Sequence, residues 1–278
     1  MSVESMMSAG AHRAGATPAP LGRYPMLDAL RGVAMVWMTV FHLSFDLNHQ
    51  RLIAPQNFYL DPFWTMQRLC IVSLFLWCAG ASQAVAMRRG VAWAGFWRRW
   101  AQVAGCAALV SLGSAWMFPD SWISFGVLHG MAVMGLLARL LAPCTPAWAP
   151  AATPPRRLLY WVLLPLVAAA ALALPWWVQS AWFDTRWTNW IGLVTQKPIT
   201  EDFVPVLPWF GVMALGLWAG SVLCLRPPRW WTSPLQARWQ APLRMLARLG
   251  RWSLSYYMLH QPVLIGLISL WVAWRQGR

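Results

Sequence analysis

Five ionisable side chains, Asp28, Arg31, His42, Asp46 and His49, lie in one strongly apolar stretch, LDALRGVAMVWMTVFHLSFDLNH, from Leu27 to His49. On a helix each residue advances about 100° around the axis. With Asp28 as the origin, Arg31 falls at about 300°, His42 at about 320°, Asp46 at about 0° and His49 at about 300°. All five then share an arc of about 60°, and Leu, Val, Ala, Met, Trp and Phe fill the rest. Ionisable groups at membrane depth are costly and mark functional sites by default. Asp28 and Arg31, three apart, can pair; the plain alternative is a neutralised pair that fixes the helix start. His42 and Asp46, four apart, can also pair. A carboxylate beside an imidazole orients it and raises its basicity, as a general base requires. For Asp46 and His49 the alternative is a solvated place in the membrane interface. For His42 it is a hydrogen-bonded core histidine.

Two more histidines lie in apolar runs. His129 stands in ISFGVLHGMAVMG, about two turns in from the outer end of an expected span from 122 to 142. That puts it at a depth similar to His42. His260 stands in SLSYYMLHQPVLIG, roughly mid-membrane. Ser253, Tyr256 and His260 share a helical face. Pro262 cannot donate to the Met258 carbonyl, so a kink is expected there. The freed carbonyl and Gln261 would line a polar cavity. Both histidines also admit a plain reading, packing between helices with one hydrogen bond. Glu201 and Asp202 precede the next-to-last span; they would cap its N-terminus or face the same cavity as His42. No histidine pair has metal-ligand spacing, so no metal is expected. No GxSxG or phosphate-cradling glycine motif occurs.

The elements that hold these residues follow from composition. The chain has 278 residues, 59% hydrophobic and only 11% charged. Ordinary soluble domains carry about 25% charged residues. Apolar runs of roughly 20 residues span a bilayer. We expect an all-α, polytopic membrane helical bundle of about seven transmembrane helices. The spans lie at about 26–47, 64–87, 98–118, 122–142, 158–178, 204–225 and 251–274. An eighth, short or re-entrant segment at 181–195 is an alternative. Residues 1–22, rich in Ala, Gly, Ser and Pro, read as a disordered cytoplasmic tail, and 23–278 as one membrane domain. The tail lacks the apolar core of a signal peptide.

The net charge of +14 comes from 21 Arg and one Lys against eight acids. These cations cluster in alternate loops: four Arg in 88–99, three in 139–157 and six in 226–251. By the positive-inside rule those loops and the N-terminus are cytoplasmic. The loops at 48–63, 119–121 and 179–203 are then external. No basic segment interleaved with exposed aromatics suggests nucleic acid. Five scattered Cys read as small buried hydrophobes. Many of the 23 Trp lie near span ends, as in interfacial belts. No internal repeat is visible, which counts against a transporter built from inverted repeats. This topology turns Asp28 and Arg31 toward the cytoplasm and His42, Asp46 and His49 toward the outer face. Arg31 and His42 are separated by about 16 Å along the axis, half a bilayer.

LDALRGVAMVWMTVFHLSFDL resembles the opening of the heparan-alpha-glucosaminide N-acetyltransferase catalytic-domain family, in its bacterial branch formerly a domain of unknown function. FLWCAGAS, FGVLHGMAV, DFVPVLPWFGVMALGLWAG and LGRWSLSYYMLHQPVLIG support it, in order, over about 23–270. The Arg31-to-His42 spacing is also similar to the arginine, ten residues, histidine pattern of membrane acyltransferases that modify surface polysaccharides. The resemblance implies an inner-membrane acyltransferase that takes acetyl-CoA from the cytoplasm and acylates a glycan or amino-sugar on the far side. Its partners would be the bilayer, acyl-CoA and that acceptor, with a homo-oligomer left open. Asp28 and Arg31 would hold the donor, with His260 and Gln261 lining its cavity. His42 with Asp46 would be the base, and His129 and Asp202 would position or polarise the acceptor. Direct transfer in a ternary complex and transfer through an acyl-histidine both stay open. The competing readings are a proton-coupled transporter, since Asp and His chains also serve proton relays, and an assembly partner in an envelope complex.

Overall fold

The computed structural model describes residues 24–141, 154–225 and 237–277, with side chains of 154–160, 225 and 237–239 left aside. The expected tail, 1–22, lies outside the described residues. Eight helices occur among them: α1 Pro25–His49, α2 Pro62–Arg88, α3 Trp93–Met117, α4 Val127–Leu141, α5 Pro154–Trp177, α6 Val206–Leu225, α7 Ala237–Arg251 and α8 Ser253–Gln276. Five of them, α1, α2, α3, α6 and α8, are long and apolar enough to cross a membrane. Two shorter apolar helices, in α4 and α5, accompany them. The all-α membrane bundle is therefore the observed fold.

Side-chain and backbone contacts set the directions. α1 and α2 are antiparallel, with Arg31 against Ser82 near one end and Phe41 against Trp64 near the other. α3 and α4 are antiparallel, with Trp100 bonded to the Ala132 carbonyl and Ser111 to His129. α1 and α8 run parallel, as the pairs Thr39–Tyr256, His42–His260 and Asp46–Gln261 require. α2 and α6 are packed through small residues. A Cβ on Gly80 would strike the backbone of Met213, and one on Gly216 the backbone of Trp77. Gly216 and Gly220 form a GxxxG pair, the pattern that lets membrane helices approach closely. Lipid offers little apolar driving force between helices, so this close approach is where the packing energy arises.

Three expectations change. The fourth span, expected from 122, begins as a helix only at Val127. At 15 residues it is about 22 Å long. His129 is therefore in its first turn, not two turns in. The segment 181–195 contains two 3₁₀ turns, Ala181–Asp184 and Asn189–Ile191, in place of a re-entrant helix. Finally, the Arg-rich loop expected over 226–251 is helical from Ala237 to Arg251: α7 lies against the first half of α1. Cβ atoms on Gly32 and Gly250 would strike the backbones of Leu246 and Asp28 respectively. α7 is amphipathic, with Arg244, Arg248 and Arg251 on its exposed side. Highly exposed Trp116, Trp176 and Trp177 mark the ends of α3 and α5, where a membrane interface would take their amphipathic rings.

Candidate active site

A polar seam runs along α1. At the Arg31 end, the guanidinium joins three helices. One nitrogen donates to Asp28 Oδ1 at 3.1 Å and to the Gly250 carbonyl at 3.4 Å. The other donates to Ser82 Oγ on α2. The Ser82 hydroxyl in turn donates to the Cys78 carbonyl. The expected Asp28–Arg31 pair is thus present, and Ser82 and Gly250 are partners that spacing did not show. Arg99 of α3 lies within electrostatic range of Arg31. Arg88 and Arg89 lie within range of Tyr24 at the start of α1. Cations exceed carboxylates at this end of the bundle, which suits an anionic ligand.

Farther along, α1 meets α8. Thr39 Oγ1 and the Tyr256 hydroxyl share a hydrogen bond of 2.6 Å. One turn on, the His42 and His260 rings approach to 5.2 Å between centroids. His260 also stacks on Tyr256 at 6.0 Å and tilts against Tyr257 at 5.7 Å. His42 packs edge-on against Phe41. One more turn on, the Gln261 amide donates to both Asp46 oxygens, at 3.0 and 3.2 Å. The carboxylate expected to orient His42 is therefore held by Gln261. The imidazole beside His42 is His260.

The tautomer of His260 follows from its partner. Nδ1 lies 2.7 Å from the Tyr257 carbonyl, which can only accept, so Nδ1 carries the proton. In the neutral ring Nε2 then holds a lone pair. It is buried without a hydrogen-bond partner, as is Gln261 Oε1. Buried polar atoms are rarely left so, and each exception calls for an explanation, a catalytic role or an ordered water among them.

His129 and Asp202 meet at the start of α4. Gly126 offers no side chain to cap the helix. Its N–H donates to His129 Nδ1 at 3.3 Å, the reach-back of a capping box. His129 Nε2 then carries the proton and donates to Ser111 Oγ at 3.1 Å. The Ser111 hydroxyl passes on to the Ile123 carbonyl at 2.7 Å. Asp202 Oδ2 accepts from the Val127 N–H at 2.7 Å. Of the two places open to Asp202 and Glu201, a cap on α6 or a wall of the His42 cavity, Asp202 takes neither directly: it caps α4, while Glu201 accepts from Ser121 at 2.5 Å. Burial raises the Asp202 carboxyl above its ordinary range, against the Val127 hydrogen bond and the cations Arg68 and Lys197. The Tyr257 phenol lies within electrostatic range of Asp202, which links this capping group to the His42–His260 pair.

His49 stands apart. It is exposed, stacks on Phe45 at 6.5 Å and lines an open cavity of about 410 Å³ with Tyr59 and Gln56. Thr39 could have been found from sequence, because it falls at about 20° on the stripe of α1. Ser82 had the weak signal of a polar residue in an apolar span. Tyr257, in a run of large apolar residues, had none.

Several helices long and apolar enough to cross a membrane, packed around a seam of Arg, His, Asp and Gln, make this a multi-pass membrane protein with a polar seam between its helices. The family described as heparan-alpha-glucosaminide N-acetyltransferase, catalytic, matches residues 23–262. The match covers most of the chain, so the protein belongs to that family. No curated protein and no solved structure matches it.

Proposed function

We propose that this is an inner-membrane acyltransferase that moves an acetyl or similar acyl group from acyl-CoA to a glycan or amino-sugar on the opposite face. The observation that carries the reading is the seam itself. It leads from a cationic group around Arg31 to His42 and His260, about 16 Å along α1. Family membership makes acetyl transfer the reaction to assign to it. The excess of arginine in alternate loops supports a cytoplasmic N-terminus and Arg31 end under the positive-inside rule, the side on which acyl-CoA is found.

Arg31, tied to α1, α2 and α7, is preorganised to face phosphate or the thioester, with Asp28 fixing its fork. The unpartnered Gln261 Oε1 and His260 Nε2 supply polar lining deeper in the seam. His42 takes the proton from the acceptor amine or hydroxyl as that atom bonds to the acyl carbon and the carbon–sulfur bond breaks. It then returns the proton to the thiolate, so CoA leaves as the thiol. Asp46, held by Gln261, keeps α1 and α8 in register beside His42. His129 and Asp202 hold the start of α4, and Asp202 lies within electrostatic range of Tyr257 beside His260, on the side where the acceptor would lie.

The test uses purified protein in nanodiscs with radiolabelled acetyl-CoA and a panel of glucosamine-containing glycans. Acetyl transfer by the native protein, cut about 10²- to 10⁴-fold in His42→Ala, is expected for loss of a general base. Undiminished turnover in His42→Ala removes that role. Absence of acetyl-CoA binding in calorimetry would favour a proton-coupled transporter instead.

A further inference from the structure

The second histidine in the seam has no role in that scheme as a proton-handling group. His260 is 8% exposed, its Nδ1–H is committed to the Tyr257 carbonyl, and its Nε2 lone pair has no partner. Among the described residues its nearest ring neighbour is His42, at 5.2 Å between centroids, closer than Tyr256 or Tyr257. The carboxylate that sequence spacing offered to His42 is taken by Gln261.

We propose that His260 is the proton partner of His42: its Nε2 accepts a hydrogen bond from the imidazolium that forms when His42 deprotonates the acceptor. The inference rests on the acyltransferase reading for its catalytic consequence, and on geometry for the pair. A lone imidazolium at this depth would be costly to form, because its charge leaves water for an apolar surround. A fixed neighbouring lone pair lowers that cost in the way a triad carboxylate does, without placing a second charge beside the first. The protons balance. One proton leaves the acceptor N–H or O–H, rests on His42 hydrogen-bonded to His260, and departs on the CoA thiol. His260 begins and ends neutral, with its proton on Nδ1. It acts through His42 and is thus a positioning residue. The other groups around the pair are Tyr256 and Tyr257 on α8, Thr39 and Asp46 on α1, and Asp202 before α6.

Two measurements test it. The first is nitrogen NMR of protein labelled with ¹⁵N-histidine in nanodiscs, titrated with acid. The chain has five histidines, so signals can be assigned by single substitutions. Native His260 should show a protonated Nδ1 and an unprotonated Nε2, and the titration step of His42 should move when His260→Ala is made. A His42 titration unmoved by His260→Ala overturns the pairing, whether or not the protein transfers acetyl groups. The second is acetyl transfer to a glucosamine acceptor. His260→Ala should lower kcat about 10- to 100-fold and recover in part with added imidazole. A kcat within twofold of native overturns the catalytic consequence. If the native protein shows no transfer while the coupled titration is present, the acyltransferase reading fails and the pair stands.

Discussion

Asp202 offers the sharpest stability test, because two opposing effects act on one carboxylate. The first N–H groups of a helix lack intrahelical partners. Gly126 brings no side chain to the start of α4, and a Cβ there would run into the Asp202 carboxylate. Asp202 Oδ2 therefore fills the place of the cap, 2.7 Å from the Val127 nitrogen. Removing a cap costs about 0.5–2 kcal/mol, and a hydrogen bond to a charged group is worth about 1.5–3 kcal/mol. Asp202→Ala should thus lose about 1–3 kcal/mol. Asp202→Asn keeps an acceptor oxygen and discards the charge, and should stay within about 1 kcal/mol of the native protein. The pH dependence separates the two effects. Burial puts the folded carboxyl above the ordinary Asp value of 3.8. Between 3.8 and the raised value the folded state binds more protons than the unfolded state. Stability must therefore fall as pH rises through that window and level off above it. Asp202→Asn should flatten this part of the profile. The assay is reversible unfolding in detergent, followed by tryptophan fluorescence across the acid range. If Ala and Asn variants match in stability, or Asn leaves the pH profile unchanged, the capping account is wrong.

Arg31→Lys keeps the charge and loses the fork across Asp28, Ser82 and Gly250; acetyl-CoA affinity by calorimetry should weaken at least about tenfold, or about 1.4 kcal/mol. Gly32→Val would drive a Cβ into the Leu246 backbone. The overpacking should cost about 1–3 kcal/mol and reduce the monodisperse fraction on size exclusion, whereas Gly135→Ala, with open space at its Cβ, should not.

Much of the bundle was written in composition and period. A hydrophobic run long enough to cross a bilayer must satisfy its backbone internally, so it must be helical. That is why α1, α2, α3, α6 and α8 were legible within a few residues. The stripe on α1 was legible for the same reason, since its angular period of about 100° per residue is a property of the helix alone. The start of α4 was not. Ile123 and Phe125 are as apolar as a helix needs, but Ser111 and Ser114 take up the backbone carbonyl and N–H of Ile123, and the Phe125 carbonyl accepts from the Val204 N–H. α7 was hidden because its many arginines read as a linker; its apolar side has meaning only against the Gly32 face of α1.

The sequence alone determined which side chains sit on one face of α1 and how far apart they stand along it, because both follow from helix geometry. Tertiary structure alone decided which of them meet. Asp46 is four residues from His42, close enough to orient it, and that spacing is only permissive. α8 runs parallel to α1 and brings Gln261 to the carboxylate and His260 to the imidazole. Those partners lie more than two hundred residues away in the chain, and no local period carries information over that distance.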